Sequence, residues 1–195
     1  MYTLILDSAT KTLYVALVKD NNVLKEIYLE GRNDHAKNIV LKVEEILNEN
    51  NIKAFDLDNI LVGIGPGSYT GVRMAVTVCK MLSVFGNKNL YSISTLKLMA
   101  SGYKGRVLTR IDARRSNSFG MILNTLNDEY IIDEAMYDTN ELLNHEFDFD
   151  VTEDNFKVDP IYCINHMVKV NEPHLLVPNY LRETEAERNL HDKKN

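Results

Sequence analysis

Metal-ligating residues are scarce and badly spaced in this chain. Its two cysteines, Cys79 and Cys163, lie far apart, and five histidines, His35, His145, His166, His174 and His191, supply no H-x-x-x-H pair. A metal site is not expected, and the cysteines read as small buried hydrophobes rather than as a disulfide or a nucleophile. The N-terminus, MYTLILDSAT, carries no basic n-region and no cleavage signature, and the longest apolar helical segment is interrupted by Arg73 and Lys80. Those absences speak against secretory and membrane classes and make a cytoplasmic protein, without membrane association, the expectation. Acid is missing from a whole third of the chain: no Asp or Glu stands between Asp58 and Asp112.

That last gap decides how to read NILVGIGPGSYTGVRMAVTVCKMLSVF, residues 59–85. An apolar run ending in glycines, then a segment free of Gly and Pro until Gly86, predicts strand, tight turn and helix. Such a helix start attracts anions in principle. A P-loop, however, needs a second glycine five positions after the first and then a lysine, whereas Thr70 stands five after Gly65 and the next lysine is Lys80. The dinucleotide pattern fails too, because Gly65, Gly67 and Gly71 contain one residue too many and no acid follows to hold a ribose. The turn Gly65, Gly67, Ser68, Thr70, Gly71, Arg73 is thus expected to shape a helix start, with Ser68 or Thr70 as its cap.

What the chain does have is an ordinary soluble composition, 45% hydrophobic and 26% charged over 195 residues. Its net charge of −6 is unevenly spread. Residues 59–111 hold Arg73, Lys80, Lys88, Lys97, Lys104, Arg106 and Arg110, a charge of +7 that leaves −13 on the remainder. Such asymmetry points either to a polar partner, RNA or acidic protein, or to solvated loop charges.

Strands are predicted at Tyr2 to Asp7, Thr12 to Val18 and Val23 to Glu30, with Asp20-Asn21-Asn22 as a hairpin turn. Asp34 is placed as the cap of a helix whose face is Ala36, Ile39, Val40, Val43, Ile46 and Leu47. The strand before GPGSYTG, the long helix, a strand at Leu90 to Ile93 and a helix from Thr95 to Ser101 follow. Residues 106–138 then repeat the opening layout, an offset of 105 placing Asp112 on Asp7, Phe119 on Tyr14 and Ile122 on Leu17. A repeated β-β-β-α-β unit predicts a two-lobed α/β molecule, with lobes at 1–104 and 105–195 and the second degraded and short, its residues 140–175 weakly patterned.

A duplicated unit with an Asp closing each first strand resembles the actin, hexokinase and sugar-kinase (ASKHA) superfamily, the actin-like ATPase fold. Within it, LDSAT at Leu6 to Thr10, His35-Ala36, GPGSYTGVR at Gly65 to Arg73, ISTL at Ile93 to Leu96, IDAR at Ile111 to Arg114 and PNYLR at Pro178 to Arg182 resemble the bacterial TsaB (YeaZ) family of tRNA threonylcarbamoyladenosine biosynthesis proteins. The resemblance implies a non-catalytic partner of TsaD, which transfers a threonylcarbamoyl group to the adenosine beside the anticodon of tRNAs reading ANN codons. It also implies TsaE as an ATP-dependent third member, a homodimer when TsaD is absent, and ATP and Mg used by the complex through its partners, with no cofactor of this chain's own and tRNA met only through the complex. Relatives have also been called glycoproteases, a label to which no zinc motif or Ser/His/Asp spacing here corresponds.

In active members of the superfamily, two hairpin turns rich in glycine let the backbone approach nucleotide phosphates. The corresponding turns here, residues 8–12 and 113–117, have none. Asp7, Thr10 and Lys11, with Asp112 in the second copy, are the candidate Mg²⁺ and phosphate contacts, but a metal-phosphate site needs more than one carboxylate. The favoured reading makes Asp7 a turn-capping residue inherited from an ATP-binding ancestor. An active kinase or ATPase and a stand-alone RNA-binding module are the rival readings. The stronger positive signal is the helix after GPGSYTG: Arg73, Thr77 and Lys80 form a narrow polar stripe, and the apolar residues cover roughly 220° of the rest. Met74, Val76, Val78, Met81 and Phe85 are accordingly expected to form a docking surface for another chain, the methionines lending it adaptability.

Overall fold

The computed structural model describes residues 1–31 and 35–181, and of residues 35–37 the backbone only. The Asp34 cap and Arg182 of PNYLR lie outside the described residues. Three antiparallel strands open the chain, β1 (Tyr2–Asp7), β2 (Thr12–Lys19) and β3 (Asn22–Glu30). Helix α1 (His35–Glu49) and a 3-10 turn at Ala54–Asp56 lead to β4 (Asn59–Gly63), which runs parallel to β1. Helix α2 (Tyr69–Gly86), β5 (Asn89–Ile93) parallel to β4, and α3 (Thr95–Ala100) complete this part.

The layout then recurs as β6 (Arg106–Arg114), β7 (Asn117–Asn124), β8 (Glu129–Asp138), α4 (Thr139–Leu143) and β9 (Phe149–Val151), with β9 parallel to β6. The fold is therefore the expected α/β duplication of a β-β-β-α-β unit. Its two sheets have the strand orders β10 (Val168–Val170)-β5-β4-β1-β2-β3 and β8-β7-β6-β9.

The stretch after β9 corrects the expected division at residue 104/105. Helix α5 (Pro160–Asn165) and β10 (Val168–Val170) return to the first lobe, where β10 pairs antiparallel with β5. Val158 and Cys163 belong to the same core cluster as Ile5 and Tyr14. The second lobe proper is thus a four-stranded sheet with little helix. The signal for this crossing was weak because short strands of three residues carry no readable period.

Both faces of the first sheet are covered, so alternation along β1 decides only which core each residue enters. Leu4 and Leu6 join Leu13, Val15 and Leu17 under α1 and α2. Ile5 joins Tyr14, Ala16, Val18 and Leu61 against Leu98 of α3 and Cys163 of α5. Burial pushes the thiol of Cys163 up to about 12 and that of Cys79 further, which leaves both as inert apolar groups.

The second hairpin departs by one residue from the register the repeat suggests. Asp7 pairs with Tyr14, whereas Asp112 pairs with Ser118, because a bulge between Asp112 and Arg114 tightens the turn. Arg114, Arg115 and Ser116 consequently sit in succession at positive φ. Among the described residues no helix is long and apolar enough to cross a membrane.

Candidate functional site

Ser68 caps α2, its Oγ accepting from Gly71 N at 3.3 Å, and the loop before it folds down onto the turn between β1 and β2. Ser68 N donates to Ala9 O at 2.6 Å, and Ser8 Oγ donates to Gly71 O at 2.7 Å. These contacts require glycine: a Cβ on Gly67 would stand 2.4 Å from Ala9 O, and one on Gly71 would stand 1.9 Å from Ser8 O. The glycines of GPGSYTG therefore bring two stretches of the chain's own backbone together, and the loop lies on the turn between β1 and β2.

Asp7 sits behind this seal, 2% exposed. Its Oδ1 accepts from Ala9 N at 2.9 Å and its Oδ2 from Thr95 Oγ1 at 2.6 Å. Thr95 Oγ1 accepts in turn from Gly65 N at 3.0 Å, and Thr95 N donates to Gly65 O at 2.9 Å. Asp7 is thus the keystone that ties β1 to the start of α3 and to the glycine loop. The C-terminal segment closes the other side: Asn179 N donates to Ile64 O at 2.7 Å, and Tyr180 packs on Tyr69 with ring centroids 5.4 Å apart. Tyr69 also lies under the Arg73 guanidinium, 5.1 Å from its ring centre. So LDSAT, GPGSYTGVR, ISTL and PNY, spread over most of the chain, converge on one knot.

The remaining phosphate candidates are occupied locally. Thr10 Oγ1 accepts from Thr12 N at 3.1 Å and donates to Thr12 O at 3.0 Å. Lys11 forms an ion pair with Asp154, and its backbone N donates to Glu153 Oε1 at 2.8 Å. Asp112 is exposed and caps its own tight turn by accepting from Arg114 N at 2.8 Å. The structure brings Asp7 and Thr10 to one hairpin and leaves Asp112 on the other. Glu134 of β8, which drew no notice in the sequence, joins the knot: it accepts from Ser94 Oγ and, at 2.6 Å, from Asn179 Nδ2. Burial raises its carboxyl above the usual range, against the opposing effect of those two donors.

Helix α2 resolves into two faces. Val72, Ala75, Val76 and Cys79 are in the core, and Met74, Val78 and Leu82 pack partly against it. Val76, 3% exposed, thus belongs to the chain's own interior, a correction to its expected place on a docking surface. Met74 and Val78 also spend most of their side chains inside. The apolar arc was broad because the helix is packed both on the sheet and on α1. What stays outside is Met81, Val84 and Phe85, at 54%, 55% and 81% exposure. Val84 was missed although it stands three residues after Met81, the spacing of one helical stripe. Phe85 and Met81 line a groove of about 250 Å³ with Phe55, Leu57, Ile60 and Lys88. Of its lining, the sequence had pointed to Met81 and Phe85 but not to Phe55.

The basic third of the chain meets the acidic remainder inside the molecule. Arg110 forms a two-pronged pair with Asp150 at 2.8 and 2.9 Å, and Arg106 reaches Glu146 at 2.8 Å and Asp148 at 3.2 Å. Lys97 pairs with Asp128 at 2.7 Å and Lys104 with Asp159 at 3.5 Å. Lys80 donates to the carbonyls of His174 and Leu176, and Lys88 to that of Phe55. Four of the seven basic residues thus meet acids from the second part of the chain, while Lys80 and Lys88 bond backbone carbonyls and Arg73 lies on Tyr69.

The chain is similar to known proteins. A family profile described as TsaD, tRNA N6-adenosine threonylcarbamoyltransferase, matches residues 22–159. The chain is 29% identical over 146 residues to the tRNA threonylcarbamoyladenosine biosynthesis protein TsaB of Bacillus subtilis, covering 73% of this chain and 63% of that protein. It is 34% identical over 119 residues to TsaB of Escherichia coli, covering 58% and 51% respectively. It thus spans less than two thirds of either relative's length. A crystal structure of a Pseudomonas aeruginosa protein with similarity to the peptidase YeaZ superposes with a TM-score of 0.78 at 22% identity, covering 93% of this chain and 99% of that one.

Proposed function

The chain belongs to the TsaD-type family and, within it, to the TsaB (YeaZ) group, and from that premise we propose that it is a non-catalytic subunit in the formation of threonylcarbamoyladenosine on tRNA, acting as a partner of TsaD. The observation that carries this reading is the seal over the first hairpin. In a nucleotide-binding relative the turn after β1 faces a phosphate; here Gly67 and Gly71 pack against Ala9 and Ser8, and Thr10 and Lys11 bond within the chain. An incoming triphosphate would have to displace a backbone hydrogen bond, a side-chain hydrogen bond and the glycine loop together. Asp7 at that turn is already bonded by Thr95 and Ala9, and the other two carboxylates there, Glu153 and Asp154, are engaged by Lys11. ATP and Mg²⁺ accordingly belong to the partners TsaD and TsaE.

The proposed docking face for TsaD, or for a second copy in its absence, is the exposed end of α2 with Met81, Val84 and Phe85. An apolar stripe of that kind is a usual core for an interface. Contact with tRNA goes through the complex, since the basic residues of 59–111 face internal partners rather than one phosphate-binding surface.

Reconstitution tests the reading. TsaD with TsaE, ATP and Mg²⁺ is assayed for threonylcarbamoyl transfer to tRNA with and without this chain, and the isolated chain is titrated with ATP by calorimetry. Transfer should depend on the chain, which alone should show no tight ATP binding. Transfer that proceeds without it, or micromolar ATP affinity of the chain alone, overturns the proposal.

A further inference from the structure

We propose that the two lobes are locked into one rigid body, so that the chain does not open and close about the cleft between its sheets. The lock has an apolar pin and two polar clips. The pin is α3, all six of whose residues are buried. Leu96, Met99 and Ala100 lie in the core cluster of Val107, Met121 and Val151 in the second lobe, whereas Leu98 lies in the cluster of Ile5 and Leu61 in the first. Phe156 packs against both clusters. A helix whose successive side chains serve two cores cannot move with one lobe without leaving a cavity in the other.

The clips stand at either end of the inner half of β8. At one end Asp128, at the β7–β8 turn with φ +58°, accepts from Lys97 Nζ at 2.7 Å and from Tyr162 OH at 2.8 Å. Lys97 is on α3 with a side chain only 10% exposed, and Tyr162 is on α5, which packs on the first sheet. At the other end Glu134 accepts from Ser94, the cap of α3, and from Asn179 beside the glycine loop. Asp128 and Glu134 stand six positions apart, at the turn before β8 and within it. A single bonded point leaves rotation about itself free; two separate points, each bonded to α3 or its cap and to a further segment of the chain, remove it. The second sheet is thereby held at a fixed angle to α2.

The test is a distance distribution between spin labels at Asn22→Cys in the first lobe and Asn144→Cys in the second, both exposed positions. Cys79 and Cys163 are buried, with thiols raised by burial, and escape labelling. The otherwise unchanged chain should give one distribution no wider than the labels themselves. Asp128→Ala with Glu134→Ala should broaden it toward longer distances, and amide protection along β8 should fall about tenfold or more. A broad or two-peaked distribution in the unchanged chain overturns the proposal, whatever the variants do. So does a distribution that stays narrow in a folded double variant. Should the double variant fail to fold, each single change, Asp128→Ala and Glu134→Ala, is read in its place by the same criterion.

Discussion

Replacing Phe85 and Val76 by alanine, one at a time, separates the docking face of α2 from its core face. Both are apolar residues of one helix, yet Phe85 is 81% exposed and Val76 is 3% exposed. Val76→Ala removes two buried methyl equivalents and leaves part of a cavity, a loss of about 2 kcal/mol. For a chain of this size that lowers Tm by about 4–8 °C. Phe85→Ala removes a ring that the isolated chain leaves in water, so its stability should change by no more than about 0.5 kcal/mol. If the ring is buried by TsaD, the same substitution should weaken association by about 2 kcal/mol or more, a loss of roughly thirtyfold in affinity. The chain has no tryptophan, so circular dichroism follows unfolding, and calorimetry with TsaD follows binding. Phe85→Ala that binds TsaD as tightly as the unchanged chain, or that unfolds as early as Val76→Ala, would refute the division of the helix into these two faces.

Two further outcomes follow from the knot around Asp7. Asp7→Ala strands Thr95 Oγ1 and Ala9 N in a site 2% exposed and should cost about 3 kcal/mol in stability, whereas Asp112→Ala removes one exposed turn bond and should cost less than about 1 kcal/mol. Neither should lower reconstituted transfer, in the folded fraction, by more than about tenfold, or roughly 1.4 kcal/mol in barrier; a loss of several orders of magnitude with intact folding would show that a catalytic group had been removed. The raised carboxyl of Glu134 makes the folded state hold its proton to higher pH than the unfolded chain does, so its contribution to stability is full below the ordinary glutamate range and is lost as pH rises through the raised value. Glu134→Gln does not titrate, and its Tm relative to the unchanged chain should therefore climb as pH rises above the ordinary glutamate range; a difference that stays flat with pH would contradict the burial of that carboxyl.

Through β8 the order of elements was legible in the amino-acid sequence, because strand alternation, turn residues and helix caps act over a few residues. The three opening strands, a Ser or Thr cap on α2, which the structure gives to Ser68, and the duplicated unit all follow from such local signals. Glycine-free hairpins and the missing P-loop lysine were equally visible, and with them the case against a nucleotide loop. What the local pattern could not reach was partnership. That Gly71 meets Ser8, that Arg110 finds Asp150, and that β10 returns to pair with β5 are contacts between residues dozens of positions apart. Periodicity states that Val76 and Phe85 are both apolar residues of one helix; only packing against the sheet and α1 decides that the first is core and the second is surface. Nor does a run of seven bases reveal whether its acids wait in another molecule or in the next lobe. The distinction rests on tertiary geometry because burial and Coulomb attraction depend on distance in space, which the order of residues constrains only over the length of a turn or a strand.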